Sequence, residues 1–196
     1  MRGQRGLSIA LLSILLFQFG CSHKTRQTQP IPATGTLSVR LTDAPLDLAN
    51  VQSLNVTLTG LIVYPRERGT FGLPDPGRDF EDGQRPVALL AHPTTIDLLT
   101  LTHGASILLA SGDVPAGSYD RIRLEIAGAN IVYKDQTSAT LQLESDKVDI
   151  PSEFSLTANG DASITLDFDG ASSVHVDETS SGSLNLRPVV TPVHST

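Results

Sequence analysis

Tryptophan is absent from this chain, and cysteine and methionine occur once each. Intramolecular disulfides, cysteine-based zinc sites and dithiol redox sites each need at least two sulfur atoms, so the single cysteine excludes all three. Aromatic residues make up only 5% of the sequence, which argues against a sugar site built on exposed rings. Basic residues are also in deficit, because 14 Lys+Arg stand against 21 Asp+Glu and the net charge is -7. This balance argues against nucleic acid as a partner.

The amino terminus has the three parts of an export signal. Two arginines precede a short apolar run, Leu7 to Phe19, and Gly20 follows it. A basic start, an apolar centre and a small residue at the cut predict a cleaved signal helix over residues 1–20. The apolar run is too short to cross a bilayer, which takes about 20 residues.

The end of this run resembles the processing box of bacterial lipoprotein signals, in which a small residue precedes an acylated cysteine. Gly20 and Cys21 match the box, whereas Gln18 stands where the box favours leucine. The resemblance implies that Cys21 is the lipid attachment site and that two or three acyl chains hold the protein at a membrane. Ser22 replaces the aspartate that commonly retains lipoproteins in the inner membrane, which implies the outer membrane in a Gram-negative cell. Ordinary secretion with Cys21 as a thiol is the alternative.

The rest of the chain is organised as a tether and one domain. Residues 21–34 are polar and contain two prolines, which predicts an extended tether. From 35 to 193, apolar residues recur at every second position, most clearly in 37–41, 54–58, 122–126 and 164–168. This period is typical of half-buried strands and predicts a single antiparallel β-sandwich, an all-β fold.

Local patterns refine this strand prediction. If Gly60 is counted in phase, Ile62 and Tyr64 continue the core face begun by 54–58. Residues 134–137 separate two strand-like runs and predict a hairpin. The Asn159-Gly160 pair predicts a second hairpin, because both residues accept the positive φ of a type I′ turn.

Residues 65–86 differ in composition from the strands around them. These 22 residues hold four Pro, four Gly, four Arg and five acids. Such a segment buries too little apolar surface to offset its ordering entropy, so we predict a flexible excursion. Two roles stay open for it: a recognition loop, or an inserted hairpin tip without a function.

Three aspartates are candidate site residues. Asp43 precedes Ala-Pro, and since Pro45 has no N–H, its carboxylate is predicted to cap the N–H of Leu46, which is a structural role. Asp167 and Asp169 are expected on one face of a strand, about 7 Å apart. Two such carboxylates could begin a calcium site, although the spacing departs from an EF-hand and a solvated strand face is favoured.

A second acidic stretch and the histidines complete the inventory of polar candidates. Asp146, Asp149 and Glu153 are interpreted as surface residues. The five histidines form no close ligand pair, and the chain contains no Gly-x-Ser-x-Gly elbow, P-loop or Gly-x-Gly-x-x-Gly motif. We therefore predict no catalytic residues, no metal site and no cofactor, while an enzyme with a dispersed, hydrolase-like site stays an alternative.

Four short motifs in the domain resemble domain-of-unknown-function family 4382, which occurs in exported proteins of bacteria and archaea. They are LTDAP at 41–45, PAGSY at 115–119 running into Ile-Arg-Leu, LDFD at 166–169 and LRPV at 186–189. The resemblance covers 35–193 and implies a prealbumin-like or carboxypeptidase-regulatory-like sandwich, but no reaction. The 65–86 excursion is longer than the family pattern, so nothing about it follows from the resemblance.

These observations predict a lipid-anchored protein of the cell envelope that acts as a non-enzymatic binding or structural module. The expected partners are the membrane, through lipid on Cys21, and an envelope protein or a glycan. One alternative is a carbohydrate- or calcium-binding domain that uses the acidic faces or the 65–86 excursion. The other is the enzyme with a dispersed site.

Overall fold

The computed structural model describes residues 32–43, 50–66, 85–101, 103–177 and 183–194. The predicted signal segment, most of the tether and residues 67–84 of the excursion lie outside these ranges. Within them, no helix has the length and apolar character needed to span a membrane.

Strands dominate the described residues. Two short helical turns interrupt them, a 3-10 turn at Leu98–Leu101 and helix α1 at Gly170–Ser173. The strands in chain order are β1 Thr34–Thr42, β2 Val51–Pro65, β3 Val87–Ala88, β4 Thr94–Asp97, β5 Ser106–Pro115, β6 Gly117–Tyr133, β7 Ser138–Leu143, β8 Lys147–Leu156, β9 Asp161–Phe168, β10 Val174–Asp177, β11 Ser183–Leu186 and β12 Val190–His194.

The strands form two packed sheets, which confirms the predicted all-β sandwich. The smaller sheet has the order β12-β9-β1-β5, and the larger has the order β10-β11-β7-β6-β2-β3, with β4 also paired to β2 and β8 to β6. Most pairings are antiparallel, but β1 with β9 and β7 with β11 are parallel. Parallel neighbours need a long crossover connection, and in both pairs the two strands are far apart in the sequence.

Alternation of apolar and polar residues puts one face of each sheet into a shared core. In β1, Leu37, Val39 and Leu41 are buried while the residues between them are half-buried on the outer face. Tyr119 of β6 is a large fully buried side chain, and its ring stacks on Phe154 of β8 with centroids 4.9 Å apart. Burial of these side chains is the main favourable contribution to folding.

A bulge in β2 reverses its core face, so the predicted positions of Ile62 and Tyr64 were wrong. The register with β6 shifts between Leu58 and Gly60, and beyond this point Leu61 and Val63 are buried instead. One extra residue in a strand moves every later side chain to the opposite face. Ile62 and Tyr64 therefore lie half-buried on the outer face of the larger sheet.

The two predicted hairpins had different outcomes. Residues 134–137 join β6 to β7, which pair antiparallel, so this hairpin is confirmed. Asn159 has a positive φ of 56° but Gly160 does not, so the turn is not of type I′. It is not a hairpin either, because β8 belongs to the larger sheet and β9 to the smaller. The turn instead docks on the start of β1 through hydrogen bonds from Asn159 N to Thr34 O and from Thr36 N to Gly160 O, both 2.8 Å.

Both described flanks of the excursion are hydrogen-bonded to strands of the larger sheet. Arg66, just after β2, donates its N–H to Ser118 O at 2.8 Å. On the return, β3 pairs antiparallel with Ile62 and Val63 of β2. The ends of the excursion are thus fixed in the larger sheet.

Candidate functional site

The sequence candidates fall into described and undescribed positions. Cys21, the predicted lipid attachment site, lies outside the described residues, so its role stays a prediction. Leu46, the predicted partner of Asp43, also lies outside the described residues.

Asp43 itself lies at the end of β1 and is buried, with 4% of its surface exposed. Its Oδ1 accepts the N–H of Gly170, the first residue of α1, at 2.9 Å. This bond joins residues 127 positions apart and fixes the start of α1 to the end of β1. A buried carboxylate stabilised by a backbone N–H is consistent with a structural role, and Gly170 is a partner that the sequence did not indicate. The predicted bond to Leu46 falls on a residue outside the described ranges and stays a prediction.

Asp167 and Asp169 have different environments. Asp167 is half-buried in β9, where its backbone partners are Thr42 of β1 and Thr191 of β12. Asp169 lies beyond the last residue of β9 and is the N-cap of α1. Its Oδ1 accepts the N–H of Ser172 at 2.8 Å, and its Oδ2 accepts the Ser172 hydroxyl at 2.7 Å.

These bonds disfavour a calcium site at Asp169. The backbone hydrogen bond from Ser172 lowers the pKa of the Asp169 carboxyl, with a smaller contribution from the Ser172 hydroxyl. Each carboxylate oxygen already accepts a hydrogen bond, so a cation would have to share the carboxylate with the cap. Among the described residues, no group of three or more His, Cys, Asp or Glu side chains is placed to hold a metal. Aspartate is a preferred N-cap residue, so the cap at Asp169 could have been predicted from the sequence.

All three acids of the second stretch are exposed, and two of them, Asp149 and Glu153, form ion pairs with arginines. Asp149 of β8 forms a bidentate ion pair with Arg123 of β6, with distances of 2.7 Å to Nε and 2.8 Å to Nη2. The hydrogen bond from Arg123 lowers the pKa of Asp149. Arg121 lies over the Tyr64 ring, 4.1 Å from Cζ to the centroid, in cation–π contact. This cluster ties β2, β6 and β8 together, and its two arginines share the single carboxylate of Asp149.

A groove of about 780 Å³ lies where the smaller sheet meets the edge of β8. Its lining comes from four strands that are distant in sequence. The residues are Ser38 and Arg40 of β1, Leu108 of β5, Ser152 to Ser155 of β8, and Asp161 to Ile164 of β9. Its volume is within the range of small-molecule sites, about 300–1,000 Å³.

Strand pairing explains why the groove is open. Strand β12 pairs with β9 only from Ile164 to Phe168, so among the described residues no strand covers Asp161 to Ser163 on that side. Strand β8 pairs with β6 and, within the described part of the chain, with no other strand. In β1 the alternation that buries Val39 turns Ser38 and Arg40 away from the core.

The charges around the groove are balanced. The Arg40 guanidinium donates from Nε to Ser106 Oγ at 3.1 Å and from Nη2 to Ser106 O at 3.3 Å, and it has no ion-pair partner among the described residues. Glu153 forms an ion pair with Arg66 at 2.6 Å. Asp161 is exposed at the rim. A ligand in the groove would thus meet two charged groups that have no ion-pair partner among the described residues. They are Arg40 and Asp161.

Ser152 is the least exposed residue of the lining, with 2% of its surface exposed. It lies in a bulge, because Tyr119 pairs with Phe154 and Arg121 with Pro151, leaving Ser152 and Glu153 between the two pairs. Its Oγ is buried and neither donates nor accepts a hydrogen bond among the described residues. Bulges redirect side chains and are common next to functional sites.

Sequence reasoning did not find this groove. Its serines stand at outward positions of separate strands, and on each strand they are ordinary polar residues. Only the folded arrangement of the two sheets places Ser152 and Ser163 in the lining of one groove. The sequence signal that could have suggested a site is the run of serines at 152, 155 and 163 around the connection from β8 to β9.

The fold and the groove together define the chain as a two-sheet β-sandwich with a cleft of mixed polar and apolar lining at the junction of its sheets. A family model described as a domain of unknown function, DUF4382, matches residues 34–188, which is most of the chain. The protein belongs to this family, as its motifs indicated. Neither the curated proteins nor the solved structures contain a significant match.

Proposed function

We propose that this protein is a lipid-anchored component of the bacterial cell envelope and that its sandwich is a non-enzymatic binding or structural module. The observation that carries the proposal is the order of features at the amino terminus: basic residues, thirteen mainly apolar residues, Gly20 and then Cys21. Cys21 is the only cysteine of the chain, and it stands where acylation requires it.

Charge supports an anchor of this kind. Removal of residues 1–20 takes away Arg2 and Arg5 and leaves 12 Lys+Arg against 21 Asp+Glu, a net charge of -9. An acidic domain is repelled by anionic headgroups, so its own surface does not favour the membrane. Covalent lipid supplies the attachment instead, with each buried methylene contributing about 0.8 kcal/mol. Ser22 after the cysteine favours the outer membrane where the host has one.

The residues of the groove support a binding role over catalysis. Its described lining contains no histidine or cysteine, and therefore lacks the commonest general base and the strongest nucleophile. Serine hydroxyls need an adjacent base to act as nucleophiles. The groove is therefore better suited to recognition.

Fatty-acid labelling tests the anchor. We expect cells that express the protein to incorporate labelled palmitate into the wild-type chain and into a Ser22→Ala control, but not into Cys21→Ser. The control changes a neighbouring residue of similar size and leaves the cysteine in place. Label in Cys21→Ser, or no label in the wild-type chain, would contradict the proposal.

A further inference from the structure

We propose that the groove between β8 and β9 binds a neutral oligosaccharide. The inference rests on the proposed role as a binding module, and it assigns that module a site and a ligand class. Ser152, Ser163 and Arg40 are the polar contacts, and Phe154 with Leu108 forms the apolar part of the wall.

The hydroxyl groups of the groove indicate a polyhydroxylated ligand. Four serines line it, at positions 38, 152, 155 and 163. Each serine hydroxyl both donates and accepts hydrogen bonds, and so does each hydroxyl of a sugar. Sugars also present apolar C–H faces, for which Phe154 and Leu108 supply contact area. The volume accommodates a short oligosaccharide better than a single small ion.

The balance of charge indicates that the ligand is neutral. An anionic ligand would be attracted by Arg40 but would face Asp161 and the exposed carboxylate of Glu153, which Arg66 pairs. A cationic ligand would face Arg40 directly. A ligand without charge avoids both repulsions and can still accept hydrogen bonds from the Arg40 donors that Ser106 does not use.

The buried, unpartnered hydroxyl of Ser152 is a second, independent observation in favour of a ligand site. A buried hydroxyl without a hydrogen-bond partner is destabilising, and native proteins contain few of them. The bulge that places Ser152 in the lining also removes it from the regular β6–β8 register. Since a serine side chain rotates between staggered positions, a ligand hydroxyl in the groove can recruit this Oγ.

Binding is tested with the mature protein, purified in detergent, on an array of neutral glucose-, galactose- and N-acetylglucosamine-containing oligosaccharides. Oligosaccharides that contain uronate and sialate are included as acidic probes. We expect neutral probes to bind. Ser163→Tyr, which fills the groove from an exposed position, should weaken this binding by about tenfold or more, since a blocked pocket loses its contacts. Ser138 of β7 is also exposed but lies outside the groove, so the Ser138→Tyr variant should bind as the wild type does.

Ser152→Ala separates a ligand contact from a structural role. We expect its affinity for the same neutral probe to fall by about threefold to tenfold, the effect of one hydrogen bond. Its Tm should equal or exceed that of the wild type, because the variant removes an unsatisfied hydroxyl from the protein without ligand. A lower Tm with unchanged affinity would assign Ser152 a structural role and overturn its part in the site.

Three results would overturn the proposal as a whole. They are no binding to any probe, binding to acidic probes only, and full binding by Ser163→Tyr. Palmitate labelling does not depend on the groove, so a labelled protein that binds no sugar would refute this inference and leave the anchor proposal standing.

Discussion

Among single residues, Tyr119 shows how burial determines chemistry. It is 1% exposed, and its hydroxyl donates a hydrogen bond to Pro115 O at 2.6 Å across the connection from β5 to β6. Desolvation raises the pKa of Tyr119 from 10.0 to about 12, because the buried site disfavours the phenolate. The contribution to stability is fully present below the unfolded pKa and is lost as pH rises through the folded one.

We therefore predict that the free energy of unfolding falls between pH 10.0 and about 12 by an amount on the order of 2 kcal/mol. In that window the unfolded chain releases the Tyr119 proton while the folded chain keeps it. Denaturant titrations across this range measure the fall, and Tyr119→Phe should abolish this part of it. Equal slopes for the wild type and Tyr119→Phe would contradict the assignment.

Asp169 provides a second test at the same scale. Replacing it by Ala removes the cap of α1 and should cost about 1 kcal/mol of stability, measured by thermal or urea unfolding. Asp169→Asn keeps an acceptor oxygen and serves as the matched control, with a smaller loss. Because the folded pKa is lowered, the stabilisation is present above the unfolded pKa of the carboxyl and is lost as pH falls through the folded pKa.

The same residue tests the calcium alternative. If the carboxylate is a cap, millimolar calcium should leave the Tm of the wild-type protein unchanged. An upward shift of Tm with calcium that disappears in Asp169→Ala would show that the cap doubles as a cation ligand.

Among the structural elements, the docking of the β8–β9 turn on β1 depends on Gly35. A Cβ added there would lie 2.6 Å from the carbonyl oxygens of Thr157 and Gly160. These are backbone atoms, which cannot move aside as a flexible side chain can. The turn and the start of β1 would have to separate.

Gly35→Ala should accordingly destabilise the protein by about 1–3 kcal/mol, the usual cost of overpacking. Gly128→Ala is the matched control: it also lies in a strand, and no atom would be within 4 Å of its new Cβ. There we expect no loss, and a gain of up to about 1 kcal/mol from reduced backbone entropy of the unfolded chain. Unfolding midpoints of the two variants provide the comparison. Equal stabilities would show that the close approach at Gly35 is not restrictive.

Strands were predictable from the sequence because their signal is local. The alternation in 37–41 and 164–168 depends only on which side chains enter the core. Sheet membership is not local, and Asn159-Gly160 shows the limit: a turn forms there, but neither its predicted type nor the predicted pairing of its flanking strands was correct. Tyr64 shows another limit, since a bulge of one residue changes the face of everything after it.

For the molecule as a whole, the candidate groove lay beyond sequence reasoning. It lies where β12 stops pairing at Ile164, and residues of β8 and of the uncovered start of β9 both line it. Neither fact is encoded in a motif. The family, in contrast, was recognisable from four short motifs, because their order along the chain is itself a sequence property.

The amino terminus gives the most direct test of the anchor. The native protein, extracted from its membrane, can be digested and its first peptide identified by mass spectrometry. The account predicts that this peptide begins at Cys21 and carries the mass of a diacylglycerol and an amide-linked acyl chain. A first peptide that begins at Met1, or that carries Cys21 without any acyl mass, would contradict it.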